Sequence, residues 1–262
     1  MIDLHSHILP EVDDGARSLE QSVEMCRMAA ADGTTHIVAT PHSNARYIFL
    51  PEENEAKIAE LQAAVGDTPR ILSGCDFHLS YENIQEALRN HAPFTINHKN
   101  HLLVEFDSHL IPPSMRQVFF ELLSAGIIPI ITHPERNQVI QQNPQLLFDW
   151  VTAGCLTQIT AQSLTGRFGS RAQRLSRRLL EHNLVHVIAS DAHDLESRPP
   201  RLSECFDLIK KEYGETLADE LFRKHPQAIL EGNDVVPGRS PTDFQKPRKR
   251  TWFSRIFFPN RY

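Results

Sequence analysis

Five of the 14 histidines close short apolar runs: His5 and His7 after MIDL, His42 after HIVATP, His133 after IPIIT and His193 after HVIASDA. Three acids stand in the same kind of place, Asp76 after ILSGC, Glu105 after HLLV and Asp191 after HVIAS. Imidazoles and carboxylates are ligands for divalent cations, so residues gathered from these positions would build a metal site. In HSH at 5–7, strand alternation turns both imidazoles to one face, and SDAH at 190–193 repeats that spacing with Asp191 and His193. A lone HxH is a weak pattern, and a histidine just beyond a strand caps it as readily as it binds metal. The weight comes from the shared position. Asp13-Asp14-Gly15 follows in a loop, where an Asp-Gly pair is an ordinary turn. Asp76 and Glu105 would sit as costly unpaired carboxylates unless cations balance them. Cys75, next to Asp76, is turned the other way by strand alternation, so the donors are nitrogen and oxygen. They point to Mn²⁺, Fe²⁺, Zn²⁺ or Mg²⁺ rather than a thiolate zinc site.

The elements that must position these residues alternate along the chain. Apolar runs predict strands at Ile2–His7, His36–Pro41, Ile71–Phe77, His101–Phe106, Ile127–Thr132, Leu156–Thr160 and Val185–Ser190. Helical periodicity predicts helices at Leu19–Ala31, Glu52–Val65, Glu82–Asn90, Pro113–Ala125, Pro144–Ala153 and Arg171–His182, with Leu202–Tyr213 and Thr216–Leu230 after the last strand. Ser18 with Gln21 three residues on fits a capping box, and Gly33, Gly126 and Gly154 stand where a left-handed residue ends a helix. Seven strands alternating with helices predict a parallel sheet closed into a barrel, whose chemistry belongs at the C-terminal strand ends.

At 262 residues and 40% hydrophobic, the chain fits one catalytic domain, residues 1–236, and a tail, residues 237–262. No apolar stretch approaches the roughly 20 residues that span a bilayer, and Pro129 interrupts the longest aliphatic run. The N-terminus lacks the regions of a signal peptide, so the expected location is cytoplasmic, at most peripheral to the membrane. Cys26, Cys75, Cys155 and Cys205 show no CxxC spacing and read as reduced core residues. The net charge of −6 is segregated. From Arg239 onward there are 7 basic residues and 1 acid, which leaves 20 basic against 32 acidic in residues 1–238. The acidic body disfavours nucleic acid. The tail, with Trp252, Phe253, Ile256, Phe257 and Phe258 among arginines, is expected to be disordered alone and to contact an anionic membrane surface or an acidic partner, or to be a solvated extension.

MIDLHSHILPEVDDG, VATPH, EFD, THPERN and IASDAH with RPP nearby resemble the polymerase and histidinol phosphatase (PHP) superfamily. Within it they are most similar to the manganese-dependent bacterial protein tyrosine phosphatases of capsule and exopolysaccharide regulation. The similarity runs from Met1 to about residue 232. The resemblance implies a distorted (β/α)₇ TIM-like barrel with three divalent ions, Mn²⁺ foremost. It implies as ligands His5, His7, Asp14, His42, Glu105, His133, Asp191 and His193, and as catalytic residues Asp191 with the phosphate-binding Arg136 and Arg198. One position departs: Asp76 stands where the better-known members carry a metal-bridging glutamate.

Such ions would lower the pKa of a shared water from about 16 toward 7 and supply hydroxide at neutral pH. None of the four cysteines is followed six residues later by arginine, so the loop of cysteine-dependent tyrosine phosphatases is absent. A phenol has a pKa near 10, which makes phosphotyrosine an easier substrate than an alkyl phosphate. The resemblance implies as partner the phosphotyrosine-bearing, tyrosine-rich tail of a bacterial tyrosine kinase. The alternatives are a histidinol-phosphate or other small phosphomonoester phosphatase, a nuclease of the same superfamily, and an inactive metal-bound adaptor at membrane or kinase.

Overall fold

The computed structural model describes residues 1–244. Nine strands are present among them: β1 (Ile2–Ser6), β2 (His36–Ala39), β3 (His42–Ser43), β4 (Arg70–Ser73), β5 (Asp76–His78), β6 (His101–Glu105), β7 (Ile128–Thr132), β8 (Leu156–Thr160) and β9 (Val187–Ala189). Helices cover α1 (Leu19–Ala31), α2 (Pro51–Val65), α3 (Tyr81–Arg89), α4 (Met115–Ser124), α5 (Gln138–Gln142), α6 (Gln145–Thr152), α7 (Ala161–Leu164), α8 (Gly169–Glu181), α9 (Ser203–Tyr213), α10 (Glu215–Asp219) and α11 (His225–Glu231). The long predicted helices recur within two residues at each end. The expected Thr216–Leu230 helix is divided by a π-helical turn at Glu220–Lys224.

All ladders are parallel, but they form two sheets, β1–β2–β4 and β3–β5–β6–β7–β8–β9, rather than one closed ladder. The predicted strands His36–Pro41 and Ile71–Phe77 are each broken in two. Pro41 has no N–H to give the ladder. Opposite it, a Cβ on Gly74 would lie 2.7 Å from Val38 Cγ1, so the chain there tolerates only glycine. Beyond the break the strands realign, and Asp76 N donates to Pro41 O at 3.1 Å. The sheets also meet at a bridge between Ser6 and Ala192, where His7 N donates to Ala192 O and Asp191 N to His5 O.

Side-chain alternation divides the core. In β6, Leu102 and Val104 pack with the helices that include α4 and α6, while Leu103 joins Val38, Ile130 and Leu156 in a separate cluster. Ile37, Ala39 and Ile71 turn outward against Met25 and Cys26 of α1 and Leu61 of α2. The four cysteines are free and buried, as expected. Ser18 Oγ caps α1 by accepting from Gln21 N, but the capping box closes differently, since Gln21 Oε1 accepts from Arg17 N rather than Ser18 N. Gly33, Gly126 and Gly154 all have positive φ.

Residues 237–244, assigned to the tail, lie on the body. Thr242 N donates to His182 O, Asn183 Nδ2 donates to Ser240 O, and Phe244 stacks on His182 with the Arg178 guanidinium 5.2 Å from its ring centre. The basic aromatic stretch from Lys246 onward, including Trp252, lies outside the described residues.

Candidate metal centre

The C-terminal ends of the strands converge. His5 and His7 leave β1, His42 opens β3, Asp76 opens β5, Glu105 closes β6, His133 follows β7, and Asp191 and His193 follow β9. Asp14 arrives from the loop after β1. Ligand atoms form three groups, each within 4.8 Å: His7, Asp14, His42 and His193; His5, His7 and Asp76; His42, Asp76 and Glu105. His7, His42 and Asp76 each belong to two groups, so the groups are contiguous. His133 and Asp191 fall outside these groups but adjoin them. His133 Nε2 is 3.4 Å from Glu105 Oε1, and Asp191 Oδ1 is 3.5 Å from both His5 Nε2 and His7 Nε2. Every predicted ligand is therefore brought to one place.

Which ring nitrogens face inward is decided by their outer partners. His5 Nδ1 donates to Gln158 Oε1 at 2.9 Å, and His7 Nδ1 donates to Asp13 Oδ2 at 2.7 Å. Both acceptors take only a proton, so the Nε2 lone pairs point at each other across 3.2 Å. Such a contact is stable only with a cation or proton between the rings. Asp76 makes the same demand: it is fully buried, neither carboxylate oxygen accepts a hydrogen bond, and Oδ2 lies 3.1 Å from His42 Nδ1. The buried, undonated carboxylate beside converging imidazoles fits divalent ions with nitrogen and oxygen ligands.

The electrostatics of the cluster agree with this. Burial works against charging His7, yet Asp13 and Asp191 raise its pKa to about 9. His42, also opposed by burial, is raised by Asp14, Asp76 and Glu105. Burial and Asp76 would raise Glu105, but His133 and His42 hold it down at about 2. Burial, the nearby His7 and Arg198 keep His193 neutral, lowered to about 3. Asp191 is held well below the carboxylate range despite burial, chiefly by Arg136, His5 and Arg198. The carboxylates stay ionised and borrow protons from imidazoles, a role that divalent cations would take over on binding.

Asp191 joins this cluster to the two predicted arginines. Its Oδ1 faces His5, His7 and His193, while Oδ2 accepts from Arg136 Nη1 and forms an ion pair with Arg198 Nη2 at 2.5 Å. Both guanidinium carbons lie over the Phe168 ring, at 4.7 and 5.8 Å. Their backbones are tied as well. Buried Glu135 accepts from Thr160 N and Ser163 Oγ, Asn137 donates to Asp107 O, and Asp194 Oδ1 accepts from Arg198 N. His133 and Asp191 have φ of 31° and 53°, a conformation costly for side-chain-bearing residues and characteristic of functional strand ends.

Sequence reasoning missed four supporting residues. Asp13 was read as turn, yet it accepts from His7 Nδ1, Gly15 N and His42 N together. Gly15 permits this, because a Cβ there would lie 2.0 Å from His7 O. Gln158 left a legible signal as a polar residue inside the buried run LTQIT. Glu135 and Phe168 left none.

A parallel α/β scaffold whose strand ends gather nitrogen and oxygen ligands beside an arginine pair defines a protein with a candidate multinuclear metal centre. Residues 1–231 match the family model described as capsular polysaccharide synthesis, CpsB/CapC. CapC of Staphylococcus aureus is 39% identical over 98% of this chain and 100% of its own length. The tyrosine-protein phosphatase YwqE of Bacillus subtilis is 36% identical over 98% and 99%. A crystal structure from the pair YwqE and CpsB of Streptococcus pneumoniae, described as metal-dependent tyrosine phosphatases, superposes with a TM-score of 0.87 and 33% identity, covering 94% of this chain and 100% of the other. The chain belongs to the CpsB/CapC family.

Proposed function

We propose that this protein is a metal-dependent protein-tyrosine phosphatase that acts on the phosphotyrosine-bearing tail of a bacterial tyrosine kinase in capsule or exopolysaccharide synthesis. The observation that carries the reading is the divided carboxylate of Asp191, with one oxygen on the histidine cluster and the other on Arg136 and Arg198. It sets an anion-binding arginine pair one carboxylate away from the cations' place. The two sheets and their Ser6–Ala192 bridge support a distorted seven-stranded barrel with the cluster at its mouth.

His5, His7, Asp14, His42, Asp76, Glu105, His133, Asp191 and His193 would hold the ions, three of them, with Mn²⁺ the favoured occupant. Bound divalent cations supply Lewis acidity and a water ionised near neutral pH. Asp13 and Gln158 keep the inward nitrogens of His7 and His5 free of protons. Arg136 spends one donor on Asp191 and Arg198 is ion-paired with it, which leaves further N–H groups to hold non-bridging phosphoryl oxygens and to stabilise charge as the bond breaks. Phe168 keeps the two guanidiniums side by side. A phenolate leaves without a strong proton donor, so an aryl phosphate suits a site of this kind. No helix among the described residues is long and apolar enough to cross a membrane. A cytoplasmic location, with membrane contact through the tail beyond residue 244, is part of the proposal, as is the division into residues 1–236 and 237–262.

The test is a rate comparison on metal-stripped protein refilled with Mn²⁺, using a phosphotyrosine peptide, a phosphoserine peptide and histidinol phosphate, with Asp191→Ala as control. Selective phosphotyrosine hydrolysis, lost in the variant, is expected. Faster turnover of histidinol phosphate or phosphoserine would reassign the substrate, and no turnover of any would reject the enzyme.

A further inference from the structure

Between α5 and α8 runs a groove of about 510 Å³ lined by Gln138, Gln141, Gln142, Arg171, Arg174 and Arg178, with Leu175 at its floor. Its charge is out of keeping with the body. Residues 150–180 contain five arginines and no aspartate or glutamate, in a body where acids outnumber bases 32 to 20. Arg171, Arg174 and Arg178 recur at i, i+3 and i+7, which puts them on one helix face, and all three are exposed. Among the described residues, Arg171 and Arg174 have no carboxylate within 4.0 Å, in contrast to Arg177, which pairs with Glu212. The opposite wall offers only glutamines, so no carboxylate lines the groove to pair with the guanidiniums.

Both walls of the groove are joined to elements that carry the candidate active site. Gln138 directly follows the Arg136–Asn137 turn, and Gln141 Nε2 donates to Glu135 O at 2.8 Å. At the other wall, Phe168, the residue before α8, carries both site arginines. Phe244 stacks against Arg178 and marks the far end. Along α8, Arg171 lies about 4.5 Å and Arg178 about 15 Å beyond Phe168. An extended chain advances about 3.3 Å per residue, so these arginines face positions on the order of one to five residues from a phosphotyrosine seated at the site.

We propose that this groove binds an acidic stretch of the polypeptide that carries the phosphotyrosine, and that it sets which tyrosines are reached. The proposal rests on the phosphatase reading and deepens it. Arginine suits the role because its planar fork matches carboxylate geometry. A merely solvated helix face would not discriminate between acidic and neutral flanks.

The experiment measures kcat and KM of the Mn²⁺-refilled full chain on three substrates: para-nitrophenyl phosphate, a phosphotyrosine peptide with three glutamates within five residues on one side, and the same peptide with glutamines, each orientation tried. The wild type should favour the acidic peptide by about three- to ten-fold through KM, the range expected of two or three exposed charge pairs. Raised salt should shrink the preference. The double variant R171Q/R174Q should lose it while para-nitrophenyl phosphate and the neutral peptide are unchanged. Equal KM for the two peptides in the wild type, or a preference that survives the double variant, overturns the proposal. If the wild type hydrolyses no aryl phosphate, the phosphatase reading fails by itself. Fluorescence anisotropy of the labelled acidic peptide against wild type and double variant then decides the groove, tighter wild-type binding supporting it and equal binding refuting it.

Discussion

Asp13→Asn isolates the support of the metal centre from its ligands. Asp13 Oδ2 lies 2.7 Å from His7 Nδ1 and 3.1 Å from His42 N, while Oδ1 is 2.9 Å from Gly15 N. The carboxylate is nearly fully buried and accepts all three bonds, so it holds the proton of His7 on Nδ1. An asparagine of the same shape keeps one oxygen, which satisfies Gly15 N. Its amide then meets His42 N donor to donor and offers a proton to His7 Nδ1. The imidazole answers by moving its own proton to Nε2, the atom that faces His5 and Asp191. A protonated Nε2 cannot ligate. Loss of such an orienting partner weakens metal binding by about 10- to 100-fold, or about 1.4–2.7 kcal/mol. The assay titrates free Mn²⁺ into metal-stripped wild type and variant, following hydrolysis of a small aryl phosphate and bound metal by mass spectrometry. The half-saturating Mn²⁺ concentration should rise by that factor, with maximal rate largely recovered at high Mn²⁺. A shift smaller than two-fold would return Asp13 to the role of an ordinary turn residue and refute the tautomer argument.

Asp76→Asn should lower bound metal more than Asp14→Asn, because Asp76 belongs to two of the three ligand groups and is fully buried whereas Asp14 belongs to one and is half exposed; metal content per chain after gel filtration checks the order. Phe168→Ala should reduce kcat/KM for an aryl phosphate by about ten-fold, comparable to the loss of two cation–π contacts at partly exposed sites, and leave bound metal unchanged. A matching loss of metal would place Phe168 in the fold rather than in arginine positioning. In the metal-free protein, His7 is raised from 6.5 to about 9, so its contribution to stability is complete below pH 6.5 and is lost as pH rises through about 9. Glu105, lowered from 4.5 to about 2, contributes above pH 4.5 and loses that contribution as pH falls through about 2. The melting temperature of the stripped protein should therefore decline from pH 6.5 to 9. Mn²⁺ binding at pH 7.5 should release protons, seen as a calorimetric enthalpy that varies with buffer; a buffer-independent enthalpy would contradict it.

Much of the centre was legible in the chain because its ligands obey local rules. Strand period alone puts His5 with His7 and Asp191 with His193, and apolar runs mark the strand ends that bear His42, Asp76, Glu105 and His133, whereas Asp14, Arg136 and Arg198 were reached only through the family resemblance. The strand breaks were not legible as breaks. Pro41 and Gly74 lie 33 residues apart, and the interruption exists because the two chains pass side by side. Nor could the chain say which of Asp13 and Asp14 would face an imidazole's outer nitrogen, since Gly15 lets the loop fold onto His7 O only in the assembled structure. Glu135 reaches a different strand and helix, Phe168 reaches two distant arginines, and residues 237–244, expected in the tail, find their partners at the end of α8 and in the two residues after it. Residue type and period determined which groups are offered and at which end of each strand. The packing of elements far apart in sequence decided which groups are ligands, which orient them, and where the arginines lie, because a hydrogen bond or a ring contact depends on where the partner is in space.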